Sequence, residues 1–205
     1  MKAIAIIALM LLISSGIFAQ KFRAEIQAGV AGSQVSGDEL SGFNKGGLLV
    51  GGGVRLKMDE KWSFGLRMLY LQKGSRKLSK LDKGDPTTYL LRLNYLEFPL
   101  LFRYQLISKL YVEIGPSLGY LVKSSEENED GEIESRNPFK KVDLSIAGGI
   151  GYPLGKNWDI QMSFWQSMLA VREHTGGATY RLNRGQYNSV IAVTLMHTFM
   201  PSAEK

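Results

Sequence analysis

The chain has 205 residues, which fits one domain, and its formal charge of +6 is spread along its length rather than gathered in one tract. Nucleic-acid binding needs a basic patch or stripe and is not indicated. The absence of cysteine excludes disulfides and thiolate metal sites, and 23 glycines against 6 prolines suit closely packed strands better than a disordered linker.

The chain opens Met1-Lys2, continues with an apolar run over residues 3–13, and reaches a small residue, Ala19, before Gln20. A short basic start, an apolar centre and a small residue at the end mark a secretory signal peptide. Cleavage is expected after Ala19, which makes 1–19 the signal and 20–205 the mature domain. Beyond it no stretch approaches the about 20 apolar residues of a membrane helix, a test that transmembrane strands evade because only every second residue faces lipid.

From there the pattern has a period of two, which predicts strands with one apolar and one polar face. Residues 22–30 set Phe22, Ala24, Ile26, Ala28 and Val30 against Arg23, Glu25 and Gln27. After a Gly- and Ser-rich connection, 47–57 set Leu48, Val50, Val54 and Leu56 against Gly51, Gly53 and Arg55. A tight turn at 58–61 leads to 62–70, where Trp62, Phe64, Leu66, Met68 and Tyr70 oppose Ser63, Gly65 and Arg67. A basic loop is expected over 73–88. The hairpin that follows, 89–122, turns at 105–109, with Leu96, Phe98, Leu100, Phe102 and Tyr104 against Glu97 and Arg103 in its first arm. Upstream in that arm Leu91 and Leu93 are apolar against Arg92 and Asn94, a phase change that predicts a bulge near Tyr95. The second arm sets Leu110, Val112, Ile114, Leu118, Tyr120 and Val122 against Glu113 and Ser117. Past an acidic connection, 142–152 oppose Asp143 to Val142 and Leu144, 158–164 oppose Asp159 to Trp158 and Ile160, and 187–199 close the series.

Eight such strands, joined by connections that alternate long and short, predict an all-β fold: an eight-stranded antiparallel up-and-down transmembrane β-barrel in the outer membrane. The apolar faces carry no ionic residue in their centres, and aromatics (Trp62, Tyr70, Tyr104, Tyr120, Tyr152, Trp158, Tyr187, Phe199) stand near strand ends as an interfacial girdle requires. The opposite faces place Arg23, Arg55, Arg67, Arg92 and Arg103 against Glu25, Glu97, Glu113, Asp143 and Asp159. A barrel of eight strands is only wide enough for side chains to fill, and buried charges must pair. These ten residues are therefore expected to form a salt-bridged plug inside the lumen.

Residues 95–104 (Tyr-Leu-Glu-Phe-Pro-Leu-Leu-Phe-Arg-Tyr) and 115–121 (Gly-Pro-Ser-Leu-Gly-Tyr-Leu) resemble the PorT-like outer-membrane β-barrel family of Bacteroidetes, and the likeness extends over the mature chain. The resemblance implies an outer-membrane barrel and, through the family's founding member, a part in protein secretion and cell-surface maturation of exported proteins. The tail Met200 to Lys205, which leaves Phe199 short of the C-terminus, departs from it.

Other motifs have plainer readings. Gly115-Pro-Ser117-Leu-Gly119 matches a nucleophile elbow, followed by Asp143, Asp159, His174 and His197 in hydrolase order, but alternation runs through it unbroken where a strand-to-helix turn is needed. The run from Glu126 to Gly131 spaces oxygen ligands like a calcium loop, yet Asn137 stands where a bidentate Glu belongs. Gly51-Gly52-Gly53 lacks the Lys-Ser/Thr of a phosphate loop and suits close strand packing. Lys73, Arg76, Lys77, Lys80 and Lys83 are candidates to meet lipopolysaccharide phosphates. The expected protein is a non-enzymatic scaffold or accessory for export and surface assembly, with no cofactor and no metal. Its expected partners are outer-membrane lipid or lipopolysaccharide and, through the long loops, secretion or envelope proteins. A lipid-modifying barrel using His197 or His174, or a passive pore, are the alternatives.

Overall fold

The computed structural model describes residues 22–38, 40, 42–79, 84–107, 109–133, 137–173 and 185–199. The expected signal peptide, the tail from Met200, and the loop residues Lys80, Lys83 and His174 lie outside the described residues.

The strands are β1 (Phe22–Ser36), β2 (Lys45–Lys57), β3 (Trp62–Lys77), β4 (Tyr89–Ile107), β5 (Leu110–Asn128), β6 (Gly131–Glu132), β7 (Val142–Pro153), β8 (Trp158–Ser167) and β9 (Tyr187–Phe199). Long strands pair antiparallel with their neighbours in the chain, and β1 pairs with β9 from Ala24↔Phe199 to Ser36↔Tyr187, so the sheet closes into a barrel of eight. The two-residue β6 only returns against the end of β5. Closure follows from the solvent: hydrocarbon offers no partner to a bare strand edge, so a spanning sheet has to end on itself.

Outside, Ile26, Val30, Met68, Ile114, Ile150 and Met162 are all more than half exposed, as lipid-facing side chains are in the absence of lipid. Inside, Leu69, Glu97 and Ser145 are fully buried. The ends of β2, β4 and β7, where the short connections leave, lie at one end of the barrel together with the start of β1 and the end of β9. The Asp59 carboxylate accepts the backbone N–H groups of Trp62 and Lys61, both at 2.7 Å, which holds its pKa below the usual carboxylate range. At this end Trp62 packs on Tyr104 with ring centroids 4.6 Å apart, Phe64 on Phe102 at 5.0 Å, and His197 on both Trp158 and Phe199 at 4.7 Å. Towards the long loops Tyr70 lies beside Leu96 and Leu96 beside Tyr120 across the ladder. From Trp62 to Tyr70 β3 has the length of about nine residues that a tilted strand needs to cross hydrocarbon.

Several strands outrun their expected limits. β3 continues to Lys77, so the expected basic loop begins inside it, and β4 and β5 extend to 19 residues each. The phase change at Tyr95 also has another cause. In β4 the odd residues Leu91, Leu93, Tyr95, Glu97, Leu101 and Arg103 all point inward without a break. A register shift does occur there, between Asn94↔Lys123 and Tyr95↔Leu121, but the extra residue is Val122 of β5. Tyr187 is buried, not part of the girdle.

Between Pro99↔Ser117 and Phe102↔Ile114 the β4–β5 ladder has no partner assigned to Leu100, Leu101, Gly115 and Pro116, since Pro116 has no N–H to give. There β4 passes so close that a Cβ on Gly115 would sit 1.8 Å from the Leu100 carbonyl oxygen. Gly115→Ala is expected to lower the unfolding free energy of the refolded barrel by about 2 kcal/mol or more. Gly46→Ala, which meets nothing within 4 Å, is expected to leave it unchanged. Fluorescence-monitored unfolding in detergent checks both.

Candidate functional site in the barrel lumen

The inward residues of successive strands build two ionic clusters separated by apolar layers. The cluster nearer the short turns centres on Glu113 of β5. Arg67 of β3 reaches it as a two-pronged donor, Nη1 to Oε1 at 2.6 Å and Nη2 to Oε2 at 2.9 Å. Arg103 of β4 donates to Oε2 from Nη2 at 2.9 Å and from Nε at 3.1 Å, and Gln161 of β8 donates to Oε1. Planar forks that match a carboxylate are the geometry in which a buried pair holds best. Arg67 Nε also lies 3.4 Å from Glu25 Oε2, and Glu25 pairs with Arg55, which donates to Thr198 Oγ1 at 3.0 Å. Arg103 lies 3.6 Å from Asp159 and stacks 3.7 Å over the Tyr111 ring. Arg23 joins Arg55 and Arg103 in lining a mouth cavity of about 180 Å³.

The second cluster is built on Lys73, which is fully buried. Its Nζ lies 2.6 Å from Glu97 Oε1 and 2.9 Å from Asp143 Oδ2, and 4.6 Å from the centroid of the Tyr95 ring. Ser117 donates to Glu97 Oε2 at 2.5 Å and Asn188 Nδ2 to Asp143 Oδ2 at 2.9 Å. One cation thus faces two carboxylates, whose remaining charge is shared among neutral donors.

Apolar residues fill the intervening space. Leu49, Leu69, Leu71, Leu101, Trp165 and Val190 form one layer. Val35, Leu91, Leu93, Tyr95, Leu121, Phe139 and Val171 form another towards the long loops. Above it Arg172 Nη1 binds both oxygens of Glu126 at 2.8 and 2.9 Å and its guanidinium lies 4.1 Å over Phe139, while the Tyr89 hydroxyl donates to Glu126. A concavity of about 1080 Å³ lies on the outer wall, lined by Trp62, Ile114, Gly148, Ile150, Met162 and Phe164 among others.

Of the ten residues expected in the lumen, Glu25, Arg55, Arg67, Glu97, Arg103, Glu113, Asp143 and Asp159 meet in these clusters and Arg23 lines the mouth. Arg92 does not belong with them. It points outward from β4 and pairs on the surface with Glu127, both side chains about two-fifths exposed. Its place is taken by Lys73, assigned above to a loop. The signal for it was present: Lys73 continues the inward parity of Ser63, Gly65 and Arg67 past Tyr70. Gln161, Asn188 and Tyr111 share the inward parity of their strands but were not counted with the charge network, because uncharged residues leave little mark on a charge-based reading.

The remaining motifs resolve in the same way. Ser117 faces the lumen as a donor to Glu97, whereas His197 stands on the outer wall between Trp158 and Phe199. Glu126 lies in β5, held by Arg172 and Tyr89, and among the described residues no cluster of acidic or His side chains with metal-holding geometry occurs. Cβ atoms on Gly51 and Gly53 would meet the carbonyl oxygens of Met68 and Leu66 at 2.2 and 2.3 Å, so these glycines let β2 and β3 pass closely.

A family model described as "Outer membrane protein beta-barrel domain" matches residues 18–170. No curated protein matches the chain. Among solved structures, Neisserial surface protein A superimposes with a TM-score of 0.53 at 11% identity, covering 86% of this chain and 97% of that one. Ail, the attachment invasion locus protein of Yersinia pestis, does so at 0.52 and 15% identity, covering 87% and 99%. Its complex with the heparin analogue sucrose octasulfate gives 0.50 and 14% identity, covering 87% and 99%. At these identities the likeness is one of fold.

Lys73→Met leaves two buried carboxylates without their cation and is expected to cost about 3–5 kcal/mol. Lys73→Met combined with Glu97→Gln and Asp143→Asn, which removes all three charges, is expected to recover most of that loss. Urea unfolding of the four refolded proteins, wild type, K73M, the double E97Q/D143N and the triple, measures the coupling.

Proposed function

Since this chain belongs to the outer membrane protein beta-barrel domain family, we propose that it is a non-enzymatic, membrane-embedded scaffold or accessory for protein export and cell-surface assembly. Within the family it is assigned to the PorT-like barrels of Bacteroidetes, reaching the outer membrane by means of a cleaved signal peptide at 1–19. Its partners would be outer-membrane lipid or lipopolysaccharide around the wall and secretion or envelope proteins at the long loops. Cofactors and nucleic acid play no part in this reading.

The observation that carries it is the lumen. Ionic clusters and apolar layers alternate along the barrel axis, each packed against its own neighbours, so the inside serves as a structural core. Ser117 lies inside the wall and His197 outside it, so these two do not meet. What remains for recognition is the outside, including the extensions of β3, β4 and β5 beyond the girdle.

Planar-bilayer recording of the refolded protein is expected to give no stable channels of nanosiemens size, and such channels would move the assignment to a pore. His197→Ala is expected to leave the lipid A and phospholipid profiles of the host unchanged. A modified species that disappears with this substitution would establish a lipid-modifying enzyme instead. Capture through a tag in the β8–β9 loop, followed by identification of cross-linked envelope proteins, tests the scaffold directly.

A further inference from the structure

Resting on the outer-membrane placement above, we infer that the outer wall of β3–β5 carries a binding site for the phosphate groups of an outer-leaflet glycolipid, built from Arg92, Lys123 and Arg76. Arg92 faces outward opposite Gly74, which has no side chain to screen it. On its other side it lies opposite Ser125, so Lys123 and Glu127 flank it two residues either way along β5. Arg76 stands two residues beyond Gly74 on β3 and is exposed, as is Lys123. Arg92 is a diagonal neighbour of Lys123 on one side and of Arg76 on the other, each about 7–8 Å away and within reach of long side chains that share an anion with it. Asn94, directly opposite Lys123, and Gln72, directly opposite Asn94, add uncharged donors to the same strip.

Position selects the ligand. The strip begins immediately beyond Tyr70, Leu96 and Tyr120, the aromatic edge of the apolar wall, which is where lipid headgroups lie. Gln72 donates to the Tyr70 hydroxyl at 3.4 Å, tying the strip to that edge. The acids Glu129 and Asp130 come further out, past the end of β5, and Glu132 of β6 lies opposite Glu127, level with Arg76 and beyond Lys123 and Arg92. Positive charge is therefore nearest the bilayer and negative charge away from it. At the same height the outward positions on β1 and β2 are Gln34 and Gly46, both uncharged, while Gln166 of β8 and Ser189 of β9 are buried and bonded to each other. One sector of the wall is thus matched to anionic headgroups. Glu127 takes up part of Arg92, and among the described residues Arg76 and Lys123 form no ion pair with a carboxylate. Guanidinium forks bind phosphate oxygens in pairs, and the lysine adds a point charge.

The test uses the full mature chain in detergent micelles at low salt, titrated with bisphosphorylated lipid A and with the same glycolipid after phosphatase treatment. Wild type is expected to bind the phosphorylated form about tenfold or more tightly, and more weakly as salt rises. Arg92→Ser/Lys123→Ser is expected to abolish that preference, and Glu127→Gln, which frees Arg92, to strengthen it. Lys61→Ser/Lys109→Ser, at the opposite rim, is expected to leave it intact. All four side chains are exposed, and heat-modifiable gel migration verifies that each variant is folded. Equal affinity for the two lipids, or equal loss in the opposite-rim variant, overturns the site. Displacement of lipid A from wild type by millimolar inorganic phosphate would reduce it to a small-anion site and overturns it as well. Channel activity or lipid modification in these preparations would bear on the function proposed above and not on this binding.

Discussion

A strand crossing hydrocarbon must find a partner for every amide and carbonyl it carries, and the pairing of β1 with β9 is what meets that demand here. Once the sheet is closed, every residue has only two possible surroundings. Outward side chains meet acyl chains and are apolar across the belt from Trp62 to Tyr70. Inward ones share a space so narrow that each charge lies within reach of another strand's charge. The glycines of β2 and Gly115 of β5 belong to the same constraint, since they allow neighbouring backbones to approach at the curvature a small barrel imposes.

Much of this was legible because parity is strict. Arg67, Glu113 and Arg103 could be assigned to one face from alternation and inward from the clean apolar composition of the other face, and electroneutrality of the narrow interior required them to pair. Legibility failed where the outer solvent changes. Beyond the aromatic edge water replaces lipid outside the wall, so β4 turns Leu91 and Leu93 inward and Arg92 outward with no change in its own geometry. The inverted pattern reads in sequence as a bulge. The same inversion explains Lys73, whose inward position matched the strand's parity but whose surroundings in sequence, among Arg76 and Lys77, matched a loop. Gln161, Asn188 and Tyr111 act through contacts made across the lumen, and such distances are set by barrel curvature, which alternation does not record.

The interior resembles a soluble protein's core turned into layers. Buried ion pairs contribute little net stability against apolar replacements of equal volume, because desolvation offsets attraction. Their value here is in fixing which strands face which, since Arg67 can satisfy Glu113 and Glu25 together at only one radius and one register. The apolar layers on either side of the Lys73 cluster exclude water from it and keep its bonds short.

Three of the lumen contacts join strands that are distant along the chain: the ion pairs of Arg67 with Glu113 and Lys73 with Asp143, and the hydrogen bond from Arg55 to Thr198. None of these can form in an isolated hairpin. A half-curled intermediate would present bare guanidinium and carboxylate groups to the bilayer interior, at a cost of several kcal/mol apiece. Curling completed near the headgroups before the cylinder descends avoids that cost, since the polar cargo is then already neutralised.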